Sequence, residues 1–133
     1  MRLTDIQTLE RARNVVRALS SLKNAHILTS ENRQAIVARA EHAVGVAWAL
    51  LSLNDDHILT PENRQAIVAQ AEYAEGVTRA LLSLNNARIL TSENRQAIVA
   101  RAEYARGVAE ALLSLNDDRL ARCFEYDPSR CPD

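Results

Sequence analysis

The apolar positions of this chain recur with two periods at once. On the short scale, Ala43, Val46, Leu50 and Leu53 follow at three- and four-residue steps, the spacing that lines side chains into one stripe along an α-helix. On the long scale the whole pattern returns every 31 residues. Residues 28–58 read LTSENRQAIVARAEHAVGVAWALLSLNDDHI, residues 59–89 read LTPENRQAIVAQAEYAEGVTRALLSLNNARI, and residues 90–120 read LTSENRQAIVARAEYARGVAEALLSLNDDRL. No gap is needed, and 21 of the 31 positions are identical in all three. Self-similarity at this period marks a repeat architecture. Its regularity fits recent duplication and deliberate design equally.

Each unit is punctuated as helix. Thr29, Thr60 and Thr91 stand where an N-cap oxygen is needed, and Pro61 follows at the position a helix tolerates best. Glu31, Glu62 and Glu93 put a carboxylate in the first turn, favourable against the helix dipole. Asn54, Asn85 and Asn116 are the predicted left-handed C-caps. Between these signals the only local interruptions are Gly45, Gly76, Gly107 and the Ala-Glu-His/Tyr-Ala stretch. The fold is therefore all-α, with one or two helices per unit. Two would restore chain direction at each unit and give a short α-solenoid of helical-hairpin repeats. One, of about 24 residues, would alternate direction and give an up-and-down helical bundle.

The variable positions favour the solenoid. In the 31-residue register, Arg13, Val44, Glu75 and Arg106 form one ladder, and Arg17, Trp48, Arg79 and Glu110 another. Glu75 would meet Arg106, Arg79 would meet Glu110, and Trp48 would lie between two guanidinium groups able to stack on it. Such complementarity has meaning only if equivalent helices lie parallel and adjacent.

The same register organises the ends. Leu9, Ala12, Val15, Ala18, Leu19 and Leu22 match Ala40, Ala43, Val46, Ala49, Leu50 and Leu53, so residues 2–27 read as an N-terminal capping half-repeat that keeps only the second helix. Arg11, Arg13 and Arg17 give it a polar outer side, as a solenoid cap requires. Residues 121–133 form a C-terminal cap or tail, in which Phe124 and Tyr126, with Leu120, are expected to cover the last unit and Pro128 to end regular structure. The whole chain, 1–133, is one repeat domain.

With one Phe, one Trp and three Tyr the core must be aliphatic, which suits closely packed helices. A net charge of −1 argues against counterion-driven binding to nucleic acid and against an anionic membrane. No apolar run approaches the roughly 20 residues of a membrane span. The start, MRLTDIQTLERARNVV, lacks the apolar stretch of a secretory signal, so the expected location is the cytoplasm, or a host cell reached without an N-terminal signal peptide. Cys123 and Cys131 fit a small disulfide loop or two thiols, and are too few for a structural zinc.

Nothing forms a catalytic constellation, so the expected protein is not an enzyme, with no cofactor, no metal and no evident small-molecule substrate. The Glu-Asn-Arg-Gln quartet occurs in every unit at a helix start, which reads as capping and inter-repeat hydrogen bonding; a catalytic residue is needed once. His26 and His57 read as exposed loop histidines. The candidate binding residues are two groups. His42, Tyr73 and Tyr104 form a ladder at the bend, either an aromatic contact surface or a cover for each unit's own bend. Val44 and Trp48, apolar among charged counterparts, with Trp48 next to Arg79 in its ladder, are either a partner hot spot or packing beneath the front cap.

The string ALLSLNDDHILTPENRQAIVAQAE, residues 49–72, resembles helical repeats in secreted effectors of intracellular bacterial pathogens. The matched positions are Ile58, Leu59, Thr60, Glu62, Asn63, Ala66 and Ile67, repeated from Ile27 and Ile89 onward, so that the resemblance spans about residues 18–119. It implies two helices per unit and a spacer or partner-binding array. Where those repeats carry Gly before Ile, this chain has His26, His57 and Arg88, and it lacks the proline that opens their second helix. LTPENRQAIVA is also similar to the opening of TAL-effector DNA-reading repeats. There the equivalent of the base-reading loop is Gln-Ala-Glu-Tyr-Ala-Glu-Gly, with acid where phosphate would approach. The expected function is a protein–protein interaction or scaffold module, with a protein partner or self-association; the alternative is a nucleic-acid-binding repeat with a basic stripe of Arg33, Arg39, Arg64, Arg95 and Arg101.

Overall fold

A computed structural model describes residues 3–126, with side chains over 5–117. Among these residues every regular element is helical: α1 (Leu3–Asn24), α2 (Ser30–Ala38), α3 (Ala43–Asp55), α4 (Pro61–Ala69), α5 (Ala74–Asn86), α6 (Ser92–Ala100) and α7 (Ala105–Tyr126). Three 3-10 turns, Ala40–His42, Ala71–Tyr73 and Ala102–Tyr104, each join a nine-residue helix to the next longer one. Each 31-residue unit thus holds two helices. The axis of Ser30–Ala38 and that of Ala40–Asp55 differ by 105°.

The N-caps form where the threonines stand. Thr29, Thr60 and Thr91 have extended backbone, and each Oγ1 accepts from the N–H of Asn32, Asn63 or Asn94 at 3.1 Å. The bend comes earlier than the glycines. It falls at Arg39, Gln70 and Arg101, whose φ near −125° and ψ near 58° end the first helix. Beyond it Ala43, Ala71, Ala74, Ala102 and Ala105 are buried, so side chains of a single methyl let the turn pack close to its neighbours. Gly45, Gly76 and Gly107 lie inside the second helices.

The expected asparagine C-caps are not what ends the helices. Asn54 and Asn85 lie within α3 and α5, and the left-handed residues are His26, His57 and Arg88, each at φ 61°. The reason is the hydrogen-bond pattern. The N–H of Ile58 donates to the carbonyl of Leu53 at 2.9 Å while that of His57 donates to Asn54 at 3.0 Å; Ile27–Leu22 with His26–Lys23, and Ile89–Leu84 with Arg88–Asn85, repeat it. This is the Schellman closure, which forces the residue just before the isoleucine into the left-handed region. Histidine and arginine therefore occupy positions that suit glycine. The third unit does not close at Asn116 at all, since α7 continues to Tyr126. In the first two units Asn63 and Asn94, from the next helix, donate Nδ2–H to the carbonyls of Ile58 and Ile89 at 2.8 and 2.7 Å, and no such asparagine follows residue 120.

The core runs through the second helices. Leu22, Leu50, Leu53, Leu81 and Leu84 are fully buried together with Ile36, Ile67 and Ile98 from the first helices, each contributing roughly 1.5–3 kcal/mol on burial. α1 packs on α3, α3 on α5 and α5 on α7, while α2 meets α4. The front segment departs from its register: Leu9 and Ala12 are exposed, since among the described residues no helix packs on that side of α1. The covering role assigned to Leu120, Phe124 and Tyr126 falls outside the described side chains, and Pro128 and the Cys123–Cys131 pairing fall outside what the structure describes.

Candidate functional site

The charged ladders sort themselves differently from the simplest pairing. Arg79 places its guanidinium carbon 5.1 Å from the centroid of the Trp48 ring, a cation–π contact between α5 and α3. The expected pairs Arg79–Glu110 and Glu75–Arg106 are not among the ion pairs of the described residues. Arg79 is committed to the indole, and the side chain of Glu75 lies alongside Gly45 of the preceding helix. Trp48, Arg79, Arg106 and Glu110 instead share a groove of about 430 Å³ whose floor is Ala80, Leu82, Ala109 and Leu113. An indole edge, two guanidinium groups and one carboxylate over an aliphatic floor can take a side chain with an apolar body and a polar tip.

A second hollow, of about 390 Å³, lies at the bend between the first two units. It is lined by Glu41, His42, Val44, Gly45, Ala71, Glu72 and Glu75. Its charge is organised by links between units that the 31-residue register does not reveal. Arg39 pairs with Glu72, and Arg64 pairs with Glu31, both at a separation of 33. Arg39 also reaches Glu41 at 3.6 Å, and His42 Nε2 lies 3.9 Å from the same carboxylate. Glu41's backbone N–H donates to its carboxylate and, with His42 and Arg39 beside it, holds it below the usual carboxylate range. The hydrogen bond to Glu72 moves Arg39 the other way, to firmer protonation.

The six candidate residues thus fall into three places. Trp48 and Arg79 are together in the first groove, and His42 and Val44 together in the second. Tyr73 and Tyr104 end the next two 3-10 turns, exposed to solvent, and line neither groove. Arg39, Glu72, Arg106 and Glu110 complete these surfaces. The invariant quartet is structural where it is seen: Asn32, Asn63 and Asn94 clip the preceding loop, and Glu31 with Arg64 joins two units.

Among the described residues no group of three or more His, Cys, Asp or Glu is placed to hold a metal ion, and no single helix is long and apolar enough to cross a membrane. The chain matches no protein-family model, no curated protein and no solved structure.

Proposed function

We propose that the chain is a short α-solenoid acting as a non-enzymatic protein-interaction or scaffold module, and that the Trp48–Arg79 groove is its contact surface. The carrying observation is that this groove gathers one of the two ladders that differ in every unit, Trp48, Arg79 and Glu110, over an aliphatic floor of Ala80, Leu82, Ala109 and Leu113. Units nearly identical in their core and different along exposed ladders fit an array that presents different side chains to a partner. Aromatic and arginine residues meeting over an aliphatic floor are the composition of binding hot spots. The module works in the cytoplasm, or in a host cell after export without an N-terminal signal, in the manner of the effector repeats it resembles.

The arrangement and the surface are tested separately. Asp56 and Ala87 are exposed C-caps of α3 and α5. In a solenoid, equivalent residues lie about 8–10 Å apart, one helix-packing distance. In an up-and-down bundle of one helix of about 24 residues per unit they fall at opposite ends, about 36 Å apart. With Cys123 and Cys131 replaced by serine, a short bis-maleimide should link Asp56→Cys to Ala87→Cys within one chain; failure to do so defeats the solenoid. For the surface, peptides selected by display on the full chain should lose binding to the Trp48→Ala and Arg79→Glu variants while the helical signal is kept. Unchanged selection would defeat the groove. A steeply salt-dependent gel shift of random duplex, with no peptide selected, would favour the nucleic-acid reading.

A further inference from the structure

Among the described residues, α1 and α7 each expose on their outer side a face that is buried on the helices between them. On α1, Val16 is 62% exposed, although its register equivalents Ala47, Thr78 and Ala109 are all buried against the helix before them. On α7, Leu115 is 62% exposed, although Leu53 and Leu84 are fully buried. Ala111 is likewise exposed where Ala49 and Ala80 are buried. The front of α1 and the rear of α7 are therefore the two halves of one interface, the same one that α1 makes with α3, α3 with α5 and α5 with α7.

We infer that the rear face of α7 receives the front face of α1 from a second copy of this chain, extending the stack head to tail. The inference rests on the solenoid arrangement proposed above. Charge selects the occupant. Advancing the register by one further unit brings Arg101 opposite Glu10 of the second copy, because Glu10 stands at the position of Glu41, Glu72 and Glu103. This reproduces the Arg39–Glu72 link between the first two units. The second ladder places Glu110 before Arg17 of the second copy, opposite charges at the position where Arg79 covers Trp48. The apolar part of the contact joins Val108, Ala111, Leu112 and Leu115 to Leu9 and Val16 of the second copy. One step opposes it: Arg106 would face Arg13 of the second copy. The contact is heterologous, so it repeats from copy to copy rather than closing as a symmetric pair.

Sedimentation equilibrium of the full chain, in reductant, tests this. The parent's mass should grow with concentration. Val16→Glu blocks the front and Leu115→Glu blocks the rear, and both replace exposed side chains, so circular dichroism should show each folded. Each variant alone should be monomeric, with association weakened more than about tenfold by an unpaired carboxylate in an apolar contact. Mixed in equal amounts they should form dimers and nothing larger, since one keeps its rear and the other its front. Arg13→Glu should tighten association several-fold by turning the one like-charged step into an opposite pair. A parent that stays monomeric, a Leu115→Glu chain that still dimerises through its fronts, a mixture that stays monomeric, or no gain from Arg13→Glu overturns the inference. None of these outcomes bears on the bis-maleimide link within one chain, so loss of the head-to-tail contact and loss of the solenoid are read independently.

Discussion

Replacing His57 by glycine should stabilise this protein, although histidine is an unremarkable surface residue by every other measure. His57 is exposed, and its φ of 61° puts its Cβ against the following carbonyl. An L-residue in this region costs about 1–2 kcal/mol, and glycine avoids the cost. Against that, glycine gives the unfolded chain extra freedom, a loss of roughly 0.5–1 kcal/mol. The net gain is about 0.5–1 kcal/mol at one site. His26 and Arg88 have the same φ and the same closing hydrogen bonds. The three sites share no side-chain partner, so their effects should add to about 1.5–3 kcal/mol. For a chain of this size that raises the melting temperature by roughly 5–12 °C. Urea titration and thermal melting followed by circular dichroism measure both quantities. Alanine at the same positions is the control: it keeps the Cβ and should gain nothing. If glycine and alanine behave alike, or if glycine destabilises, the strain argument is wrong and the loops are held by something other than backbone conformation.

Three further outcomes follow from buried groups and from one carboxylate. Thr78 is buried with no partner for its Oγ1, where the other units carry alanine, so Thr78→Ala should stabilise by about 1 kcal/mol in urea titration. Asn63→Ala removes the donor to the Ile58 carbonyl and should destabilise by about 1–3 kcal/mol, with faster amide exchange at His57 and Ile58. Glu41 has its folded pKa below its unfolded one, so its contribution is complete at neutral pH and is lost as pH falls through the folded value, on the acid side of its ordinary value. A melting temperature that drops with acidification in the parent and drops less in Glu41→Gln would bear this out; identical profiles would not.

Helix starts were legible because one chemistry serves them: a threonine oxygen accepts from the third residue on, and Thr-x-x-Asn states this in sequence. Helix ends were misread for an instructive reason. Asparagine is a common left-handed residue, but the position was decided by the pairing of Leu53 with Ile58, five residues apart, and not by which residue tolerates it best. The bend at His42, Tyr73 and Tyr104 was legible in the Ala-Glu-His/Tyr-Ala stretch, where buried alanines are what the turn needs, while the neighbouring glycines lie inside the second helices. The 31-residue register placed Trp48 next to Arg79, yet it could not say that Arg79 would choose the indole over Glu110. That choice is a rotamer decision between a ring and a carboxylate on opposite neighbours. The links Arg39–Glu72 and Arg64–Glu31 were invisible to the same register because they run at 33.

The asparagine clip has a direction. Asn63 reaches back to Ile58, and Asn94 back to Ile89, so the loop of each unit is fastened by the one made after it. On a ribosome the chain emerges from its first residue, and a loop carbonyl waits for the asparagine made after it before it is fastened. Folding during synthesis therefore advances like a row of latches, each thrown by the next unit to arrive, and truncated chains end on an unlatched unit wherever synthesis stops.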